Sequence, residues 1–210
     1  NDPEIVTRIS QYELAFRMQS SVPYLMDVSD EPQETLDLYG TSGADGSFAG
    51  NCLLARRLAE RGVRFVSVCQ RVWDHHERIA AGLPAQCREV DQPIAALVRD
   101  LKSRGMLEDT LVIWTTEFGR MPFSQGESGR DHNGGTFVTW LAGAGIKPGI
   151  VHGQSDEWGW KAQKEIWCYD LHATILHLMG IDHEKLSVRH NGIDRRLTDV
   201  HGHVINEILT

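Results

Sequence analysis

The sequence predicts an α/β fold, with a mostly parallel sheet flanked by helices. Three observations carry that prediction. Helical and extended patterns alternate through the middle of the chain. Thr110–Thr116 is an almost unbroken apolar run, the pattern of a strand covered on both faces. Glycines at 62, 105 and 180 stand where helical patterns stop.

Taken in order, residues 4–20 read as an amphipathic helix whose apolar surface comes from Ile5, Ile9, Tyr12, Leu14, Phe16 and Met18. Residues 21–46 are irregular, with room for a short helix over Glu31–Leu38. Ser47–Arg61 is helical, with Leu53, Leu54, Leu58 and Ala59 inward and Gly62 as its stop. Val63–Val72 is rich in β-branched residues and reads as a strand. A long helical region covers Glu77–Arg104, broken at Pro84 and kinked at Pro93. Thr110–Thr116 and Phe137–Ala142 are the second and third strands, and Tyr169–Met179 is a helix with Asp170 in its first turn. The helical crossover between the first two strands predicts that they lie parallel and close together. With no repeat and no low-complexity linker, residues 1–210 read as one α/β domain.

The 210 residues carry a net charge of -8, which argues against nucleic-acid backbone binding. No apolar run reaches the roughly 18 residues of a transmembrane helix. Asn1-Asp2-Pro3-Glu4 does not resemble a signal peptide, and the missing initiator Met suggests a trimmed product or fragment. The four cysteines show no Cys-x-x-Cys spacing, so neither a thiolate zinc site nor a dense disulfide framework is indicated.

Ligands of open α/β sheets gather beyond the carboxyl ends of the strands. The first strand ends in Trp73-Asp74-His75-His76 and the second in Glu117-Phe118-Gly119-Arg120. The loop Gly129-Arg130-Asp131-His132-Asn133 leads into the third. Asp74, His76, Glu117 and His132 therefore share a predicted destination at one sheet edge. Carboxylate oxygen with imidazole nitrogen suits zinc or manganese, and magnesium or calcium if the carboxylates dominate. Each pair by itself also reads as an ordinary hydrogen-bonded turn.

The segments Cys52–Val66, Trp73–His76, Thr116–Arg120, Gly129–His132, Asp170–Thr174 and Arg196–Val200 together resemble the bacterial family called domain of unknown function 1501. That family is placed within the alkaline phosphatase and sulfatase superfamily. The resemblance implies a sulfatase-like fold and a metal-dependent hydrolase of phosphate or sulfate esters. It also implies that this chain corresponds to the C-terminal half of a larger protein, whose N-terminal half supplies a further ligand and the nucleophile. The isolated chain is then expected to turn over little ester. A non-catalytic metal- or anion-binding module on the same scaffold is the alternative.

Carried over residue by residue, Asp74 and His76 correspond to a metal pair and His132 to the isolated histidine ligand that precedes a strand. Glu117-Phe118 stands where many relatives have Asp-His. Asp131 reads as a ligand or as a partner orienting His132, and His172 as a packing residue or outer partner of the site. Arg120 and Arg130 would grip an anionic ester oxygen, or stand as solvated loop arginines. The implied substrate is a small anionic ester or a glycan-linked ester, in a periplasmic or otherwise extracytoplasmic setting. Cys52 with Arg56 resembles the Cys-x-x-x-Arg frame of sulfatase nucleophiles, but Leu-Leu-Ala lies between them in place of Pro-Ser. Cys52 therefore reads as a buried structural thiol.

Overall fold

The computed structural model describes residues 2–210, and its elements fall into two compact units. One unit runs up to Asp74 and includes Ala81–Leu101; the other comprises His75–Ala80 and Lys102–Thr210.

The first unit is helical. It holds α1 (Pro3–Met26), α2 (Gln33–Tyr39), α3 (Phe48–Glu60) and most of α4 (Ile79–Ser103). Met18, counted above with the apolar surface of the first helix, has a side chain outside the described set. Helix α3 starts where Ser47 Oγ accepts from Gly50 N at 3.0 Å. Hydrogen bonds from Ser47 also hold the Asp45 carboxyl at about 2. The helix stops at Gly62, whose φ of +80° suits glycine. Tyr39, Cys52, Leu53 and Ala96 form the apolar core, packed by Val28, Leu36, Leu38, Phe48, Val68 and Leu97.

Beside that core lies a buried ionic network. Arg56 is 2% exposed. Its guanidinium meets Glu31 Oε2 at 2.6 Å, Glu60 Oε2 at 2.5 Å and Asp100 Oδ2 at 3.0 Å. Tyr39 Oη donates to the same Asp100 oxygen at 3.1 Å. Arg57 pairs with Asp30 at 2.8 Å and with Glu31, and donates to the Asp27 carbonyl at 2.7 Å.

The mostly parallel sheet predicted from the sequence does not form. The sheets are two-stranded and antiparallel among the described residues. Strand β1 (Val112–Trp114) pairs with β4 (Trp140–Ala142), Ile113 opposite Leu141. Strand β2 (Gly119–Arg120) pairs with β3 (His132–Asn133), and β5 (Ser187–His190) with β6 (Ile193–Arg196). Residues 63–72 make no ladder. Val68 packs on the core of the helical unit, Phe65 is 73% exposed, and Val72 has a φ of +72°, which no strand accommodates. An apolar run fixes burial but not pairing direction. Here the excursion between β1 and β4 reverses the chain, so no helical crossover is needed.

Helix α4 runs unbroken through Pro84 and Pro93. Val90, Pro93, Ala96, Asp100 and Leu101 are buried along it at helical spacing, and the packing offsets the backbone bonds that the prolines remove. In the second unit α5 (Cys168–Leu178) begins where Asp170 Oδ2 accepts from Trp167 N at 2.9 Å. Thr174 Oγ1 then ties it to Ile205 N at 3.0 Å. No helix is long and apolar enough to cross a membrane among the described residues.

Removing one partner of a buried ion pair costs about 3–5 kcal/mol, so Arg56→Met, which removes the cation shared by three carboxylates, is expected to lower unfolding free energy by that order in chemical denaturation. Burial alone would raise the Glu31 carboxyl, but hydrogen bonds from Arg56 and Arg57 reverse the sign and hold it below its ordinary 4.5. Such a group stabilises fully above its unfolded pKa and loses that contribution as pH falls through the folded value. Thermal stability of the wild type should accordingly fall below about pH 4.5, and Glu31→Gln should flatten that acid limb.

Candidate metal centre

The chain between β2 and β3 folds back on itself. Gln125 and Gly129 exchange backbone hydrogen bonds at 2.9 and 3.0 Å. This turn latches onto the segment before α4. Arg130 N donates to the His75 carbonyl at 3.0 Å, Ile79 N to the Ser128 carbonyl at 3.0 Å, and Arg78 N to Ser128 Oγ at 3.0 Å. The latch is tight at Gly129, where a Cβ would stand 1.7 Å from the His76 carbonyl oxygen. Gly129 has no positive φ to accommodate; the absence of a side chain is what the approach requires.

The latch carries His76 to His132. Their Nε2 atoms are 3.0 Å apart and their ring centroids 4.7 Å. The His76 Nδ1 lies 2.7 Å from Gln125 Oε1. Asp74, which the chain holds two residues before His76, completes the group. One ligand atom from each of Asp74, His76 and His132 lies within 4.8 Å of the others. His132 is held in place by Phe118, stacked on it at 4.1 Å with an interplanar angle of 26°. The Arg120 guanidinium sits 5.7 Å over the Phe118 ring.

Two imidazoles and one carboxylate form a three-ligand donor set, which leaves the fourth position of a tetrahedral ion to a further ligand. Ligand bonds of 2.0–2.1 Å in tetrahedral geometry place two nitrogens about 3.3 Å apart, so the rings need part by only a few tenths of an ångström. Two borderline imidazole nitrogens favour zinc over calcium or magnesium, which take oxygen ligands, and the carboxylate leaves manganese a second choice.

The other residues singled out in the sequence have different places. Glu117 is exposed between β1 and β2 and is not among the clustered groups. Asp131 Oδ1 accepts from the backbone N of His132 at 2.8 Å, and its carboxylate lies 3.9 Å from Nδ1 of His76, so the ring it approaches is that of His76. His172 Nδ1 donates to the Cys168 carbonyl at 2.7 Å within α5. Arg120 donates to the Arg130 carbonyl at 3.1 Å, and Arg130 to the Gly129 carbonyl at 2.8 Å and to Ser124 at 3.2 Å. Both arginines thus brace the hairpin. Burial of Cys52 pushes its thiol up to about 12, leaving almost no thiolate at neutral pH. Gln125 and Gly129 carry no ligand signal in the sequence, and their roles emerge only from the latch.

A family described as "Protein of unknown function (DUF1501)" matches residues 1–209. No curated protein and no solved structure matches the chain.

Gly129→Ala is expected to force the 125–130 turn off the His76 backbone, parting the two imidazoles while the helical unit keeps its circular dichroism. Zinc affinity measured by competition with a chromophoric chelator should drop at least about tenfold. Unchanged affinity would show that the latch does not place the ligands.

Proposed function

Because the chain belongs to the DUF1501 family of proteins of unknown function, membership brings no activity with it, and we propose from the side chains themselves that this is a metal-dependent hydrolase-like domain acting on phosphate or sulfate esters. The observation that carries the proposal is the convergence of Asp74, His76 and His132 on one point. A divalent cation bound there would polarise an ester oxygen and lower the pKa of a bound water.

The residues around the point suit such a role. Asp74 supplies the one formal negative charge of the donor set, so a divalent ion leaves the centre with net positive charge for an anionic ester. His76 and His132 direct Nε2 toward the same place. Arg120 lies over the ring of Phe118, which stacks on His132, and its charge adds to a local field that favours an incoming anion.

A second reading is favoured by one distance. An Nε2–Nε2 separation of 3.0 Å also suits a direct N–H···N hydrogen bond, which makes the pair a structural tie within a non-catalytic module.

Elemental analysis separates the two. The metal reading predicts about one zinc or manganese per chain after dialysis against the metal, with loss of the ion in His76→Ala and His132→Ala, and at most slight, chelator-sensitive hydrolysis of aryl phosphate or aryl sulfate by this chain alone. Retention of the same metal content in both variants would assign the pair to structure.

A further inference from the structure

We propose that Gln125 is a positioning residue that sets the tautomer of His76, and thereby keeps its Nε2 available to the centre. The inference rests on reading His76 and His132 as ligands.

A neutral imidazole carries one proton, and the hydrogen bond at one nitrogen decides what the other presents. The amide oxygen of Gln125 stands 2.7 Å from His76 Nδ1. An amide oxygen only accepts, so Nδ1 carries the proton and Nε2 keeps its lone pair. That lone pair is directed at His132 Nε2, 3.0 Å away, within the group of ligand-type side chains that Asp74 completes. The opposite tautomer would put an N–H into the centre and close it to a cation.

The Asp131 carboxylate does not fill this role. Asp131 is 3.9 Å from Nδ1, beyond hydrogen-bond reach, and its Oδ1 is engaged by the His132 backbone N at 2.8 Å. Gln125 is held to its task by the backbone, since its own N and O are both paired with Gly129. The Gly129 approach that brings the histidines together thus delivers the amide as well. An outer partner that orients a metal-bound imidazole is worth about 10–100-fold in metal affinity.

The test uses the metal-free chain, labelled with nitrogen-15 at histidine, at a pH where the imidazoles are neutral. Long-range proton–nitrogen spectra should show His76 protonated at Nδ1 in the wild type. Gln125→Leu should give a tautomer mixture at His76, with zinc affinity about 10–100-fold weaker and helical content unchanged. Gln125→Glu keeps an acceptor at the same reach and should retain the Nδ1–H form. Protonation at Nε2 in the wild type, or an unaltered His76 tautomer in Gln125→Leu, would overturn the inference. If the tautomer responds as described but no variant, nor the wild type, binds zinc or manganese, the positioning role stands and the metal reading fails.

Discussion

Arg56 holds the helical unit to a single arrangement. Its guanidinium is paired from three directions, by Glu31 ahead of α2, Glu60 one turn further along α3 and Asp100 near the end of α4. A buried guanidinium is costly unless every face of it is answered. Each of those segments must therefore present its carboxylate at once, and Tyr39 joins through the same Asp100 oxygen. Apolar packing around Leu53 and Tyr39 supplies cohesion without direction; the arginine supplies the register. Such a network is poor evidence for high stability. It excludes alternative packings of α3 and α4 in which any carboxylate is left unanswered.

The candidate centre is built by another device, close backbone approach. A turn is pressed against the segment before α4 until nothing larger than hydrogen fits at Gly129. The bonds to His75, Arg78 and Ile79 follow from that contact. Side-chain convergence is then a consequence: His132 lies on β3 at the end of the hairpin, and His76 lies at its point of attachment. Phe118 and Gln125, both between β1 and β3, fix the two rings from opposite ends of the pair.

These two devices explain what could be read from the sequence. Helix stops were legible because they depend on single residues: Gly62, Gly105 and Gly180 all take left-handed φ values where helices end. Strand pairing was not, because Val112–Trp114 and Trp140–Ala142 look the same in either direction, and what turns the chain between them is a hairpin with no strong turn signature. The extended pattern of 63–72 misled for a related reason: β-branched content records a preference for extended backbone, whereas a ladder needs a partner. In the candidate site, Asp74, His76 and His132 were visible as ligand-type residues in short motifs, and the structure gathers them. Glu117 matched the same pattern and stands apart, since residue type does not report which way a turn faces. Gln125 was invisible because an uncharged amide in a loop resembles any other loop residue.

The depth of the Arg56 pairs has a consequence for ionic strength. At 0.15 M salt the Debye length is about 8 Å, and mobile ions weaken only those charges that they can approach. Lys185 and Asp182, 2.8 Å apart with Lys185 86% exposed, are open to that screening. Arg56 is closed to it, its side chain being 2% exposed. Concentrated salt therefore divides the ion pairs of this protein into two populations. The surface pairs fade, and the buried cluster becomes the dominant electrostatic tie, so that the helical unit is insulated from swings in the surrounding electrolyte that its acidic surface cannot avoid.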